Sequence, residues 1–91
     1  MVSRQVTVLN KQGLHARPAT AMVNTAAKFK SEIFICRDEK KVNGKSILGL
    51  LVLAAECSAI LTIEAQGSDE NEAVDTLVSL VNDHFGMGKS S

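Results

Sequence analysis

Ninety-one residues, 45% of them hydrophobic, suffice to bury one real core, and a single domain over residues 1–91 is expected. Ten Lys and Arg balance ten Asp and Glu, and this zero net charge argues against a nucleic-acid partner, which a basic excess would accompany. The longest apolar run, residues 47–55, falls well short of the ~20 residues of a membrane span, and residues 1–5 lack a signal-peptide core. The expected location is cytoplasmic, without membrane insertion.

Residues 2–9 alternate, with Val6 and Val8 on one side and Ser3, Gln5 and Thr7 on the other, the pattern of a half-buried strand. Residues 10–13 make a loop. Residues 16–29 read as a helix whose Ala19, Met22, Val23 and Ala26 draw one apolar stripe. The alanines keep that stripe thin, so the helix can lie close to a sheet. Lys28 and Lys30 suit its C-terminal end.

Residues 32–37 carry Ile33, Phe34, Ile35 and Cys36 and read as a second strand. A polar turn at residues 38–40 leads to a short strand, residues 41–43, that pairs back as a hairpin. Ser46 is a favoured N-cap, since its hydroxyl can accept from an amide of the first turn. The helix that follows, residues 47–54, is apolar nearly all round. Ile47, Leu48, Leu50, Leu51 and Leu53 cannot all face one core. They make either an unusually buried short helix or an exposed docking patch, and Gly49 permits close approach in both cases.

Residues 59–66 alternate again. Ala59, Leu61, Ile63 and Ala65 face the core, while Thr62, Glu64 and Gln66 face water. Asp69 with Glu72 predicts an N-cap and capping box. Val74, Leu77, Val78, Val81 and Phe85 form the clearest helical stripe, with Gly86 as its C-cap. Residues 86–91 are expected to be a flexible tail. His84 lies near the negative end of that helix and is given no catalytic role. Cys36 and Cys57 form no C-x-x-C pair and read as free, largely buried thiols. No metal-ligand spacing is present, and no P-loop or dinucleotide glycine pattern.

The order βαββαβα predicts an α+β fold. A four-stranded, mostly antiparallel sheet carries three helices on one face, and its other face is solvated.

The chemistry concentrates in Gly13-Leu14-His15-Ala16-Arg17-Pro18-Ala19. Pro18 has no amide hydrogen and fits the first turn of a helix, where amides lack partners anyway. Gly13 lets the chain turn out of the strand. His15 therefore sits at or next to the N-cap. Free amides and the positive dipole end converge there and welcome an anion. The same end disfavours an imidazolium, so the neutral ring keeps a lone pair to offer. Arg17 adds a charged fork suited to phosphate oxygens.

Leu14-His15-Ala16-Arg17-Pro18-Ala19 resembles, without a gap, the active-site signature of the histidine-containing phosphocarrier (HPr) family of the bacterial phosphoenolpyruvate-dependent phosphotransferase system. The element order is similar too, an HPr-like open-faced β-sandwich, and the resemblance covers residues 2–85. Asn43-Gly44-Lys45-Ser46-Ile47-Leu48-Gly49-Leu50-Leu51 is similar to the family's regulatory serine site.

The resemblance implies a phosphocarrier rather than an enzyme. His15 would accept a phosphoryl group through Nδ1 and Arg17 would stabilise it. Ser46 would be the regulatory site, and Ala16, Thr20, Ala21, Ile47, Leu48, Gly49 and Leu51 would dock partners. Those partners would be enzyme I, an enzyme II A component and an HPr kinase/phosphorylase, with no metal or cofactor on the carrier, which is expected to be a monomer. Leu48 and Leu51 stand where many members have methionine, which is more adaptable than leucine. The leucine-rich second helix is also similar to the nitrogen-branch paralogue, NPr. A second reading is a mainly regulatory protein acting through Ser46 phosphorylation and docking. A third is a small-anion sensor at the helix start.

Overall fold

A computed structural model describes residues 1–53 and 55–87. Strand β1 (Val2–Thr7) leads to helix α1 (Ala16–Ala26), then β2 (Glu32–Arg37), β3 (Lys40–Asn43), α2 (Ile47–Val52), β4 (Ile60–Gln66) and α3 (Glu70–Asn82). A short 3-10 turn, His84–Gly86, follows. The sheet order is β1-β4-β2-β3, and every neighbouring pair is antiparallel. The crossover through α1 leaves a gap between β1 and β2, which run parallel to each other, and β4 fills it.

Alternation along the strands decides which side is covered. Val6, Ile33, Ile35, Leu61, Ile63 and Ala65 are buried. They meet Ala19, Met22 and Ala26 of α1 and Ala73, Val74, Leu77 and Val81 of α3 within one core. The opposite face is wet, and there Lys41 Nζ lies 4.7 Å over the Phe34 ring and 3.1 Å from Glu64. Among the described residues no helix is long and apolar enough to cross a membrane.

Several local expectations shift. Helix α1 stops at Ala26 rather than near residue 29, because Lys28 N and Phe29 N turn to the tighter acceptors Thr25 O and Ala26 O. Lys45, not Lys28 or Lys30, donates to the carbonyl that follows, reaching Phe29 O at 2.8 Å. Helix α2 ends at Val52, and Ala54, expected within it, lies outside the described residues. Its ambiguous apolar surface divides cleanly. Leu50 and Leu53 are buried, while Ile47, Leu48, Leu51 and Val52 are exposed.

The capping box at α3 does not form. The Asp69 carboxylate turns away from its own helix and accepts from Lys30 N at 2.8 Å, Ser31 N at 2.9 Å and the Ser31 hydroxyl. Glu70, not Glu72, reaches back, accepting from Gly67 N at 3.1 Å. The cysteines are free, but neither is deeply buried: Cys57 is exposed, and Cys36 lies half-buried on the wet face of the sheet. Burial and the neighbouring Glu64 carboxylate push the Cys36 thiol up from its ordinary value.

Gly86 does not cap α3. The helix ends at Asn82, and the chain reverses through His84, Phe85 and Gly86, whose φ angles are +54°, +55° and +73°. That reversal drives Phe85 into the core and brings Met87 half-buried against it. Of the expected tail, residues 88–91 lie outside the described residues.

Candidate functional site

The segment before α1 is held by the one before β4. Val8 N donates to Ala59 O at 2.9 Å, and Ser58 N donates to Val8 O at 2.8 Å. The chain then closes a tight turn, Gly13 N to Asn10 O at 2.9 Å, and Leu14 N donates to Ala55 O at 2.7 Å. Gly13 is required here: its φ is +70°, and a Cβ on it would stand 2.3 Å from Ala55 O. Asn10 is fully buried, and its Nδ2 donates to His84 O at 3.2 Å. The turn is thereby tied to the chain reversal after α3.

These bonds deliver His15 to the N-cap of α1, with extended angles of φ −84° and ψ −168°. Its carbonyl accepts the first helical bond, from Ala19 N at 3.0 Å. Its ring makes no capping bond. The ring Nε2 is buried with no hydrogen-bond partner among the described residues. The amides of Ala16 and Arg17 precede the first helical bond, and Pro18 has none to offer. The helix start therefore presents a ring nitrogen, two amides and the positive dipole end together.

Arg17 is exposed, with no ion pair among the described residues, and lines a groove with Ala16, Thr20, Ala21, Asn24 and Met87. Thr20 Oγ1 donates back to Ala16 O at 2.8 Å, which fixes its hydroxyl against the helix. The sequence expectations for Ala16, Arg17, Thr20 and Ala21 converge on this one groove. Asn24 and Met87 were missed. Asn24 stands one helical turn beyond Thr20 on the same face, a spacing that could have marked it. Met87 had no local signal, since only the reversal after α3 carries it there.

Ser46 caps α2: its Oγ accepts from Gly49 N at 3.1 Å. Ile47, Leu48 and Leu51 are exposed beside it, with Leu48 at 76%. Gly49 is half-buried, and a Cβ on it would meet Val42 at 3.1 Å. Val52, 63% exposed, extends the patch beyond the expected residues. Helices α1 and α2 pack against each other, so the groove and the patch lie on neighbouring elements. Among the described residues no group of three acidic, His or Cys side chains is placed to hold a metal.

The family model described as "PTS HPr component phosphorylation site" matches residues 2–83. The chain belongs to the HPr family. It is 42% identical over 89 residues to the phosphocarrier protein HPr of Neisseria meningitidis serogroup B, covering 98% of this chain and 100% of that one. It is also 42% identical to the phosphocarrier protein NPr of Shewanella violacea, covering 92% of each. The crystal structure of HPr from Thermoanaerobacter tengcongensis superposes with a TM-score of 0.92 at 43% identity, over 97% of this chain and 99% of that one. The open-faced sandwich is thus the HPr fold, and the chain is an HPr-family phosphocarrier of the phosphotransferase system.

Proposed function

We propose that His15 takes a phosphoryl group from phosphorylated enzyme I, itself charged by phosphoenolpyruvate, and passes it to an enzyme II A component. The observation that carries this reading is the placement of His15 at the N-cap of α1, ahead of the first-turn amides of Ala16 and Arg17 and beside the exposed Arg17 side chain. The Nδ1 lone pair attacks phosphorus as the bond to the donor breaks, and the donor keeps that electron pair. The amides of Ala16 and Arg17 and the Arg17 guanidinium receive the phosphoryl oxygens. Onward transfer runs the same exchange in reverse. The protein is consumed and regenerated, a reactant rather than an enzyme, and works as a cytoplasmic monomer.

Partners seat on the α1 groove and on Ile47, Leu48, Gly49 and Leu51. Ser46 is the regulatory site, modified by an HPr kinase/phosphorylase. A phosphate there adds about −1.5 to −2 charges beside the docking patch. The test is incubation with enzyme I and phosphoenolpyruvate, followed by mass analysis. One acid-labile, base-stable phosphoryl group is expected on wild type and none on a folded His15→Ala variant. Labelling that persists in that variant overturns the assignment.

A further inference from the structure

Arg37 ends β2 and reaches across to the segment that joins α2 to β4. Its Nη1 donates to Leu53 O at 3.2 Å, and its Nη2 donates to Glu56 Oε1 at 2.6 Å. Its Nε lies 3.9 Å from the Asp38 carboxylate. The Arg37 side chain is 22% exposed, while its Glu56 partner is 64% exposed, so the guanidinium is the sheltered half of the pair. The Glu56 carboxyl is held below its usual range by its own backbone amide and by the bond from Arg37.

The two groups gripped by Arg37 flank Ala55 in the chain. Ala55 O is the acceptor for Leu14 N at 2.7 Å, and Gly13 packs directly on Ala55 and Glu56. Leu14 is buried and immediately precedes His15. A path therefore runs from the guanidinium, through the Glu56 side chain and its chain neighbour Ala55, to the Leu14 amide and the residue that opens α1. The Arg37 bonds to Leu53 O and Glu56 lie on the segment that the helix start leans on. Arg37 fixes the seat on which that start rests.

We propose that Arg37, through Leu53 O and Glu56, is a positioning residue for phosphoryl transfer, holding Ala55 O where it sets the placement of His15. The proposal rests on His15 being the phosphoryl acceptor. A planar fork can serve a carbonyl and a carboxylate at once, which a single ammonium cannot do in the same geometry. Geometry, not net charge, is therefore what the site uses.

The experiment follows phosphoryl uptake from phosphoenolpyruvate through enzyme I against carrier concentration. It compares wild type, Arg37→Ala, Arg37→Lys, Glu56→Ala and Glu56→Gln, with His15→Ala as the blank. Amide hydrogen exchange is read at Leu14 and at Ile63, the latter buried in β4. Arg37→Ala is expected to lower the maximal rate about tenfold, with the half-saturating concentration unchanged, because small misplacements of reacting groups cost that much or more. Arg37→Lys recovers less than half of the loss. Glu56→Gln, which keeps an acceptor, stays near wild type, while Glu56→Ala falls towards Arg37→Ala.

Leu14 exchange rises roughly tenfold in Arg37→Ala while Ile63 stays protected, the signature of local rather than global opening. A wild-type rate in both Arg37→Ala and Glu56→Ala overturns the proposal, whatever the exchange does. So does a rate loss that follows a parallel rise in exchange at Leu14 and Ile63, since that is general destabilisation. If wild type itself takes up no phosphoryl group, the reading of His15 fails and the proposal falls with it. A labelled wild type with unaffected variants removes the positioning role alone.

Discussion

The Ser46 hydroxyl accepts the Gly49 amide at 3.1 Å, so the oxygen proposed for phosphorylation is also the cap of α2. Ser46→Ala should cost about 1 kcal/mol by leaving a first-turn amide unpaired. Ser46→Asp keeps an acceptor and should stay folded. Its added charge sits beside Ile47 and Leu48, where a phosphorylated partner brings negative charge of its own. His15 phosphorylation by enzyme I should therefore slow at low salt and recover as salt screens the repulsion. Equal rates for wild type and Ser46→Asp at low salt would leave Ser46 only its capping role.

Two leucines on one short helix should respond in opposite ways. Leu48 is 76% exposed and Leu50 fully buried. Leu50→Ala should lose about 2–5 kcal/mol by opening a cavity in the core. Leu48→Ala should melt within about 0.5 kcal/mol of wild type and weaken enzyme I binding. Thermal melts with binding titrations separate these outcomes, and a large stability loss in Leu48→Ala would take it out of the docking surface.

The start of α1 was legible because its signals are local. Pro18, Gly13 and the apolar stripe through Ala19 and Met22 all act within a few residues of His15. The strands were legible for the same reason, since alternation alone places Ile33, Ile35, Leu61 and Ile63 inward. Cys36 obeys that parity as well. It is out of phase with Ile33 and Ile35 and so faces outward; the tendency of cysteine to be buried was the weaker guide.

What escaped the sequence depends on partners far along the chain. Asp69 has a good N-cap identity, but two amides and a hydroxyl from Lys30 and Ser31 offer it more bonds than its own helix does. Met87 reaches the α1 groove only through three consecutive positive-φ residues, two of them not glycine. The pairing of Arg37 with Glu56 spans 19 positions and has no periodic signature.

Acid should loosen the tie made by Asp69. The Ser31 hydroxyl first, and then the Lys30 amide, hold its carboxyl below the usual range. A depressed folded value contributes stability that is present above the unfolded pKa, about 4, and is lost as pH falls through the folded value. Glu70, depressed by the Gly67 amide and the chain's amino terminus, adds to the same trend. Melting temperature should hold from pH 7 to 5 and fall below pH 4. Asp69→Asn should melt lower at pH 7 and show a shallower acid decline, and an unchanged slope in that variant would assign the acid sensitivity to other carboxylates.

Gly13 tests the seat of the site directly. Its φ of +70° disfavours any side chain, and a Cβ would meet backbone atoms of Ala55 and Glu56 at 2.3 and 2.8 Å. Backbone cannot step aside as a flexible side chain can. Gly13→Ala should lose more than ~1 kcal/mol in denaturant unfolding and slow phosphoryl uptake further than its stability loss accounts for. A variant of wild-type stability would show that the turn relaxes freely.

Arg17 offers the opposite case, a residue whose loss the fold should not notice. It is exposed and makes no ion pair among the described residues. Its removal should leave the melting temperature within error of wild type. A charge-assisted hydrogen bond to a phosphoryl oxygen contributes about 1.5–3 kcal/mol. If that bond forms as the group transfers, Arg17→Ala should slow transfer roughly ten- to a hundredfold. Arg17→Lys divides charge from shape: substantial recovery means that a positive charge at the helix start is enough, while little recovery means that the planar fork engages two oxygens. The measurement is the single-turnover rate from phosphorylated enzyme I to each variant at saturating carrier. Unchanged rates in Arg17→Ala would leave the amides of Ala16 and Arg17, with the dipole of α1, as the phosphoryl-binding groups.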